Sequence, residues 1–326
     1  PNERTGFDKD ILKLDEKLNV FYMSITGQLL RIYPNPLDPE AKWFDLTNTG
    51  IGLAEKDSAM ISTAFTQYLD AIGSGNVALA QKWRAGIEDF QSNAGSHILP
   101  NEKKAKLEIL YNRLLVFERL APFYAMIGLI LLIIQFMAMF RPKPWQGKVS
   151  NVFTGLVGLG FIVHTFGLGI RWYVSGHAPM SNGYESMIFV AWGTLLAGLL
   201  IANRSKMAVA LTAILAALSL LVAHLSWMTP EITPLVPVLK SPWLTIHVAV
   251  IMTSYSFLGL GALIGLLVMF LYIFKTKMNA QMIDGHISHL RKMNEIVLIV
   301  GLYLITIGCF LGAIWANVSW GRYWGW

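Results

Sequence analysis

Six apolar runs dominate this chain, and they constrain its fold more than any other feature. They cover residues 121–140, 151–170, 187–202, 207–227, 243–274 and 296–316. A bilayer helix needs about 20 consecutive apolar residues, and all but the short third run approach or exceed that length. In hydrocarbon a chain must satisfy its own backbone hydrogen bonds, so runs of this length are helices. The composition agrees: 54% of the 326 residues are hydrophobic, 14% are charged and the mean hydropathy is +0.50. The expected fold is an all-α polytopic membrane protein with six transmembrane helices, preceded by a mainly helical domain over residues 1–118.

Residues 1–118 carry 13 Lys and Arg against 16 Asp and Glu, a net of −3, whereas residues 119–326 carry 13 against 4, a net of +9. A basic membrane half reflects topology. With no basic run interleaved with aromatics, nothing points to nucleic acid as a partner. The connectors 141–150, 203–206 and 275–293 hold Arg141, Lys143, Lys148, Arg204, Lys206, Lys275, Lys277, Arg291 and Lys292. The opposite connectors and tail hold Arg171, Lys240 and Arg322. Nine cations against three put the first set in the cytoplasm, and residues 1–118 and the tail on the outer side. The single cysteine, Cys309, lies in an apolar run and reads as a small buried residue. The chain opens on Pro1 and stops on an aromatic run, so it reads as a piece of a longer polypeptide.

In the first domain, apolar residues recur at helical spacing from Leu69 through Ile72, Val77, Leu79, Trp83 and Ile87 to Phe90. Residues 103–118 read as an amphipathic helix running into the membrane, and 33–43 as a Pro-rich turn region. His97 reads as a solvated loop histidine. Glycines such as Gly155, Gly158, Gly160, Gly261 and Gly265 lie inside the apolar runs, where they suit close helix packing.

Ionisable groups inside a membrane are costly and are therefore candidate sites. His164 lies within the second run, with Arg171 seven residues on; His224 and Trp227 close the fourth. His247 follows "SPWLTI", and Pro242 is a good first-turn residue, so the imidazole sits within about two turns of a helix start. That setting suits the neutral ring that ligates a metal. The fifth run gives about 48 Å of helix against a core of about 30 Å, so its first turns can stand above the hydrocarbon. Ile251, Ser254, Tyr255 and Leu258 share the face of His247. Glu295 is interfacial, and His286 and His289 fall on the cytoplasmic connector. The tail, "WGRYWGW" at 320–326, spaces Trp320 and Trp324 so that a helical turn would stack them, with Tyr323 at the same edge. Gly321 and Gly325 leave room for a flat partner, and Arg322 offers a cation for an acidic group. Taken alone, these features read first as interfacial aromatics, and a bound porphyrin would suit them too.

Three stretches in order, "RWYVSGHAPMSNGYES" (171–186), "PWLTIHVAVIMTSYSFL" (242–258) and "WGRYWGW", resemble the haem-handling membrane component of the System II cytochrome c synthases. The resemblance covers about residues 120–326. It implies a haem-handling transmembrane domain over 119–326, ending inside a tryptophan-rich motif (the WWD domain) of the form WGxxWxWD. Trp320, Gly321, Trp324 and Trp326 match that motif, with Arg322 and Tyr323 between them, and the expected aspartate would follow Trp326. His247 matches the first of two external axial iron ligands; the second would lie beyond Trp326. His164, His177, Asn182, Tyr184 and Glu185 are additional candidates.

The resemblance further implies a lyase that presents haem b, its substrate, at the outer face of the inner (cytoplasmic) membrane. It attaches the haem to the Cys-x-x-Cys-His motif of apocytochrome c, with no catalytic residue of its own beyond haem positioning. Implied partners are apocytochrome c, an N-terminal portion of the same synthase, a thiol-reducing system and membrane lipid. Three other readings stay open: a haem exporter or chaperone serving a separate ligase, a b-type electron-transfer cytochrome, and a haem-free transporter.

Overall fold

The structure is a computed structural model that describes residues 6–38, 42–47, 53, 55–96, 99, 101–233, 235 and 241–323. It divides into two units, Pro1–Asn101 and Glu102–Trp326. The expectations for His97 and Lys240 lie outside the described residues.

In the first unit, α1 (Gly6–Ile25) precedes a two-stranded antiparallel pair, β1 (Tyr33–Pro34) and β2 (Trp43–Phe44), which is followed by α2 (Glu55–Gly73) and α3 (Val77–Ala94). Gly75 turns the chain at φ 70°, and Asn76 caps α3 by accepting a bond from the Leu79 amide at 3.1 Å. Tyr33 is fully buried with its ring edge-on to Phe90, and Gln91 Nε2 donates to the Ile32 carbonyl at 2.7 Å. Burial pushes the Tyr33 phenol above its ordinary range. The stripe expected at helical spacing across 69–90 lies on helices, with Trp83, Ile87 and Phe90 half-buried. The turn at 74–76 splits it, Leu69, Ile72 and Val77 face outward, and Ile61, Ala64, Ala71 and Ala80 are buried instead.

The second unit holds α4 (Glu102–Leu114), α5 (Val116–Phe140), α6 (Pro144–Ser175), α7 (Gly183–Leu200), α8 (Lys206–Ala223), α9 (Pro242–Ile273) and α10 (Ala280–Trp320). Among the described residues, six helices are long and apolar enough to cross a membrane, α4 and α5 counting as one run of 39 residues. The amphipathic helix expected over 103–118 is present as α4 but breaks at Leu115, a non-glycine residue at φ 45°. Most boundaries move by a few residues, and α6 spans 144–175 against the expected 151–170. The fourth span ends at Ala223 rather than 227, and α10 begins at Ala280, well before the expected 296. Its 41 residues give about 60 Å of helix, so the polar segment 280–295 is a helical extension beyond the apolar core. Arg291, Lys292, His286 and His289 therefore ride on a helix rather than a connector, and the His289 Nε2 lies 3.2 Å from the Arg204 carbonyl.

The α5–α6, α7–α8 and α9–α10 connectors gather at one end, called here the basic end. The α6–α7 and α8–α9 connectors and the C-terminal end of α10 gather at the other, the aromatic end. Alanine-rich α8 is the most buried helix and packs between α5 and α7, with Ala208, Ala210, Ala213 and Ala216 inside. Small side chains let backbones approach where no hydrophobic force operates between helices in lipid. A Cβ on Gly128 would stand 3.0 Å from that of Ala213, and one on Gly198 would overlap the Thr212 side chain. Gly198→Leu is therefore expected to lower stability by about 1–3 kcal/mol. Gly169→Leu, where nothing lies within 4 Å, is the control. Thermal denaturation midpoints in detergent check the pair.

Candidate functional site

The site is built where α9 enters the bundle beside the end of α10. Pro242 occupies the first turn of α9, as the sequence predicts, and His247 follows one turn on, half-buried. Its Nδ1 lies 2.7 Å from the Gly308 carbonyl of α10. A carbonyl only accepts, so Nδ1 carries a proton, and in the neutral ring Nε2 keeps the lone pair that a metal could take. The same seam continues down the pair. Ile251 packs on Gly308, Ser254 Oγ donates to the Gly301 carbonyl at 2.9 Å, and Leu258 packs on Gly301. Residues 247, 251, 254 and 258 share the face toward α10, as expected. Tyr255 does not; it is exposed, because eight residues past His247 is about 80° further round the helix. The sequence reading missed Gly308 and Gly312, although their Gly-x-x-x-Gly spacing is a recognised signal for close helix contact.

Helix α10 ends at Trp320, where Gly321 at φ 69° caps it and donates to the Asn317 carbonyl at 2.8 Å. The expected helical turn through the tail is thus interrupted at 321–323, and Trp324 and Trp326 lie outside the described residues. Trp320 instead meets Trp315 edge-on, with ring centroids 4.8 Å apart. The Trp315 indole Nε1 is buried and has no hydrogen-bond partner among the described residues. Sequence reasoning passed over Trp315, five residues upstream of the motif. Trp320, Gly321, Arg322 and Tyr323 are exposed. Gly312 and Trp320 are eight residues apart on α10, about 12 Å along its axis. Exposed indole and phenol faces, a guanidinium and an imidazole with its Nε2 lone pair held available thus occupy one end of the bundle. That donor set fits a porphyrin with anionic edges and a ligandable iron.

The additional candidates have partners inside the protein. His164 is fully buried and donates from Nε2 to the Ile188 carbonyl at 3.0 Å, joining α6 to α7. The rings of Phe117 and Tyr124 close round it, with centroids 5.1 Å and 6.2 Å away. Its Nδ1 has no partner among the described residues. His177 lies on the α6–α7 connector, its ring nitrogens 3.1 Å and 3.4 Å from the carbonyls of Ala178 and Thr233. With Ser181 it lines a cavity of about 180 Å³ against Leu244, Thr245 and Val248 of α9. At the end of α8, the ring nitrogens of His224 meet the Leu220 carbonyl at 2.5 Å and the Glu118 carboxylate at 3.4 Å.

Asn182 caps α7 by accepting from the Glu185 amide at 2.8 Å. Glu185 is 1% exposed and pairs with Arg171, which is fully buried. The guanidinium Nε donates to Glu185 at 2.8 Å. Its other nitrogens donate to the carbonyls of Pro230 at 2.8 Å and Glu231 at 3.1 Å and to the Tyr111 hydroxyl at 3.3 Å. The second Glu185 oxygen accepts from the Ser181 amide and hydroxyl, both at 2.7 Å. Tyr184 is buried, with the Arg171 guanidinium carbon 5.1 Å from its ring centre.

Known proteins share this arrangement of sequence. The cytochrome c biogenesis protein CcsA of Guillardia theta is 33% identical over 214 residues, covering 56% of this chain and 70% of that relative. The family model described as cytochrome c assembly protein matches residues 180–326. The chain belongs to the cytochrome c assembly protein family. The CcsA protein of Prochlorococcus marinus (strain MIT 9303) is 36% identical to this assembly protein over 213 residues, or 55% of this chain and 67% of the relative. Protein NrfI of Wolinella succinogenes is 40% identical over 332 residues, covering all of this chain but only 36% of NrfI. The assembly protein thus spans about a third of that relative's length. The System II resemblance drawn from the three stretches agrees with these matches. The matched region of the family model contains the Glu185 ion-pair partner, His247, Gly308 and Gly312, and the tail.

Proposed function

We propose that this cytochrome c assembly protein is the haem-presenting part of a cytochrome c synthase. In this reading the aromatic end faces the outer side of the cytoplasmic membrane, with residues 1–118 and the tail on that side. The excess of Lys and Arg at the basic end supports the orientation. Haem b is held as substrate between His247 and the tryptophan-rich tail, and a second axial ligand comes from outside residues 1–326. The observation that carries the reading is the 2.7 Å bond from His247 Nδ1 to Gly308, which leaves Nε2 as the iron-ready atom at the end of the bundle that carries Trp320.

The proposed reaction joins haem to the Cys-x-x-Cys-His segment of an apocytochrome c. Each substrate thiol adds across one haem vinyl group: a carbon–sulfur bond forms, the carbon–carbon double bond becomes single, and the thiol hydrogen ends on carbon. The addition needs no external oxidant or reductant, although a thiol-reducing partner must keep the two cysteines from forming a disulfide. The protein's work is positioning, which can supply several kcal/mol of barrier reduction when reacting atoms are held at about 3–3.5 Å. Trp320 and Tyr323 offer faces to the macrocycle, Arg322 suits a propionate, and His247 fixes the metal.

The test uses purified full-length protein loaded with haem b and supplied with a reduced Cys-x-x-Cys-His apocytochrome. Covalent haem on the substrate, seen on a denaturing gel and by mass, is the expected result. Haem binding without covalent product until a separate ligase is added would establish an exporter or chaperone instead.

A further inference from the structure

We infer that Gly308 and Gly312 of α10 form the seat that orients His247 toward iron, Gly308 by lending its carbonyl and Gly312 by having no side chain. This rests on the reading of His247 as the haem ligand. In a helix the Cα–Cβ bond tilts toward the N-terminus, so a side chain at one position covers the turn before it. A side chain at 312 would therefore stand over the carbonyl of 308. The structure shows what fills that space. A Cβ on Gly312 would lie 2.6 Å from Cε1, 2.8 Å from Nδ1 and 3.1 Å from Nε2 of His247. The imidazole occupies the void itself, and from there its Nδ1 reaches the Gly308 carbonyl at 2.7 Å.

The other glycines of the seam act differently. A Cβ on Gly308 would meet Ile251 at 2.5 Å, and one on Gly301 would meet Leu258 at 2.8 Å. Those are apolar packing contacts, whereas Gly312 alone of the three is filled by a candidate ligand. A carbonyl on the far nitrogen of a ligating histidine fixes its tautomer and ring plane and makes it a stronger donor to the metal. The Gly-x-x-x-Gly step therefore does for His247 what a carboxylate or carbonyl partner does at other metal sites. It also couples the ligand to α10, the helix that carries Trp315 and Trp320.

The experiment compares Gly312→Ala, Gly301→Ala and His247→Ala in haem-loaded full-length protein. Thermal midpoint, haem loss to a scavenging globin and the iron midpoint potential are measured for each. Gly301→Ala imposes a similar packing insult further along the seam and should move only the thermal midpoint. Gly312→Ala should weaken haem retention by about tenfold to a hundredfold, the usual range for losing such a partner, and raise the potential because a weaker donor stabilises ferric iron less. Gly312→Ala behaving like Gly301→Ala, with retention and potential unchanged, would overturn the seat while leaving His247 as ligand. An unchanged spectrum in His247→Ala would instead overturn the parent reading. Should Gly312→Ala fail to accumulate, ligand rescue of full-length His247→Ala decides. Imidazole, which can donate to the Gly308 carbonyl, should bind the iron at least about tenfold tighter than 1-methylimidazole, which cannot, and equal affinities would overturn the seat.

Discussion

Arg171→Met is expected to destabilise the membrane unit by about 3–5 kcal/mol, the usual cost of removing one partner from a buried ion pair. The cost arises because Glu185 stays behind. It is 1% exposed, and its carboxylate would keep only the Ser181 amide and hydroxyl. The carbonyls of Pro230 and Glu231 would lose their donors in the same step. Glu185→Gln should cost less, because an amide oxygen can still accept from the guanidinium. The double variant Arg171→Met with Glu185→Leu should recover much of the loss, since replacing both members of a buried pair with apolar groups is often neutral. Detergent-solubilised protein followed by thermal and denaturant unfolding tests the series. A single Arg171→Met variant within about 1 kcal/mol of wild type would show that the pair contributes little. On this account the "SNGYES" stretch is first a structural clasp. Ser181, Asn182 and Glu185 fold the α6–α7 connector onto Arg171, and Arg171 in turn holds the α8–α9 connector against α6.

That clasp was not legible in the sequence, whereas the six helices were. A bilayer leaves a chain no other way to satisfy its backbone, so an apolar run of sufficient length announces its own structure. Arg171 read as one of three outer cations because local pattern sees only i,i+3 and i,i+4 neighbours, and its partner stands 14 residues away across a turn. The helical extension at 280–295 was hidden for a related reason. Asp284, Arg291 and Lys292 make it polar, and polarity marks the end of the hydrocarbon rather than the end of a helix. In the first unit, the period at 69–90 was real, but Gly75 and Asn76 break it into two helices with different buried faces. At the site, Pro242 correctly marked the start of α9 and the 3.6 period correctly turned Ile251, Ser254 and Leu258 toward one partner. What the sequence held and the reading passed over was the Gly308–Gly312 spacing, whose meaning depends on which helix lies opposite. Only the fold supplies that neighbour.

His247→Ala is expected to convert the six-coordinate iron spectrum of the haem-loaded protein to that of iron with one axial ligand fewer, and to weaken haem retention at least about a hundredfold. Loss of a mere second partner already costs about ten- to a hundredfold, and here the first-bonded atom itself is removed. The alternative role for this residue is packing, and the geometry lets the two be separated. His247 sits over Gly312 and bonds the Gly308 carbonyl, so alanine leaves a void and a carbonyl with one partner fewer. A purely structural histidine would therefore be replaced tolerably by Gln, whose amide can donate to Gly308 but binds iron poorly. His247→Gln should keep the thermal midpoint near wild type while losing the spectrum. Added imidazole should restore the six-coordinate spectrum to His247→Ala, because the void beside Gly312 is the size and shape of the ring that left it. Optical titration with ferric and ferrous haem, run alongside thermal unfolding, reads both properties in one sample. A full nitrogen-ligated spectrum in His247→Gln would place the ligand elsewhere in the protein. The buried Nδ1 of His164, with no partner among the described residues and ringed by Phe117 and Tyr124, would then be the next atom to examine.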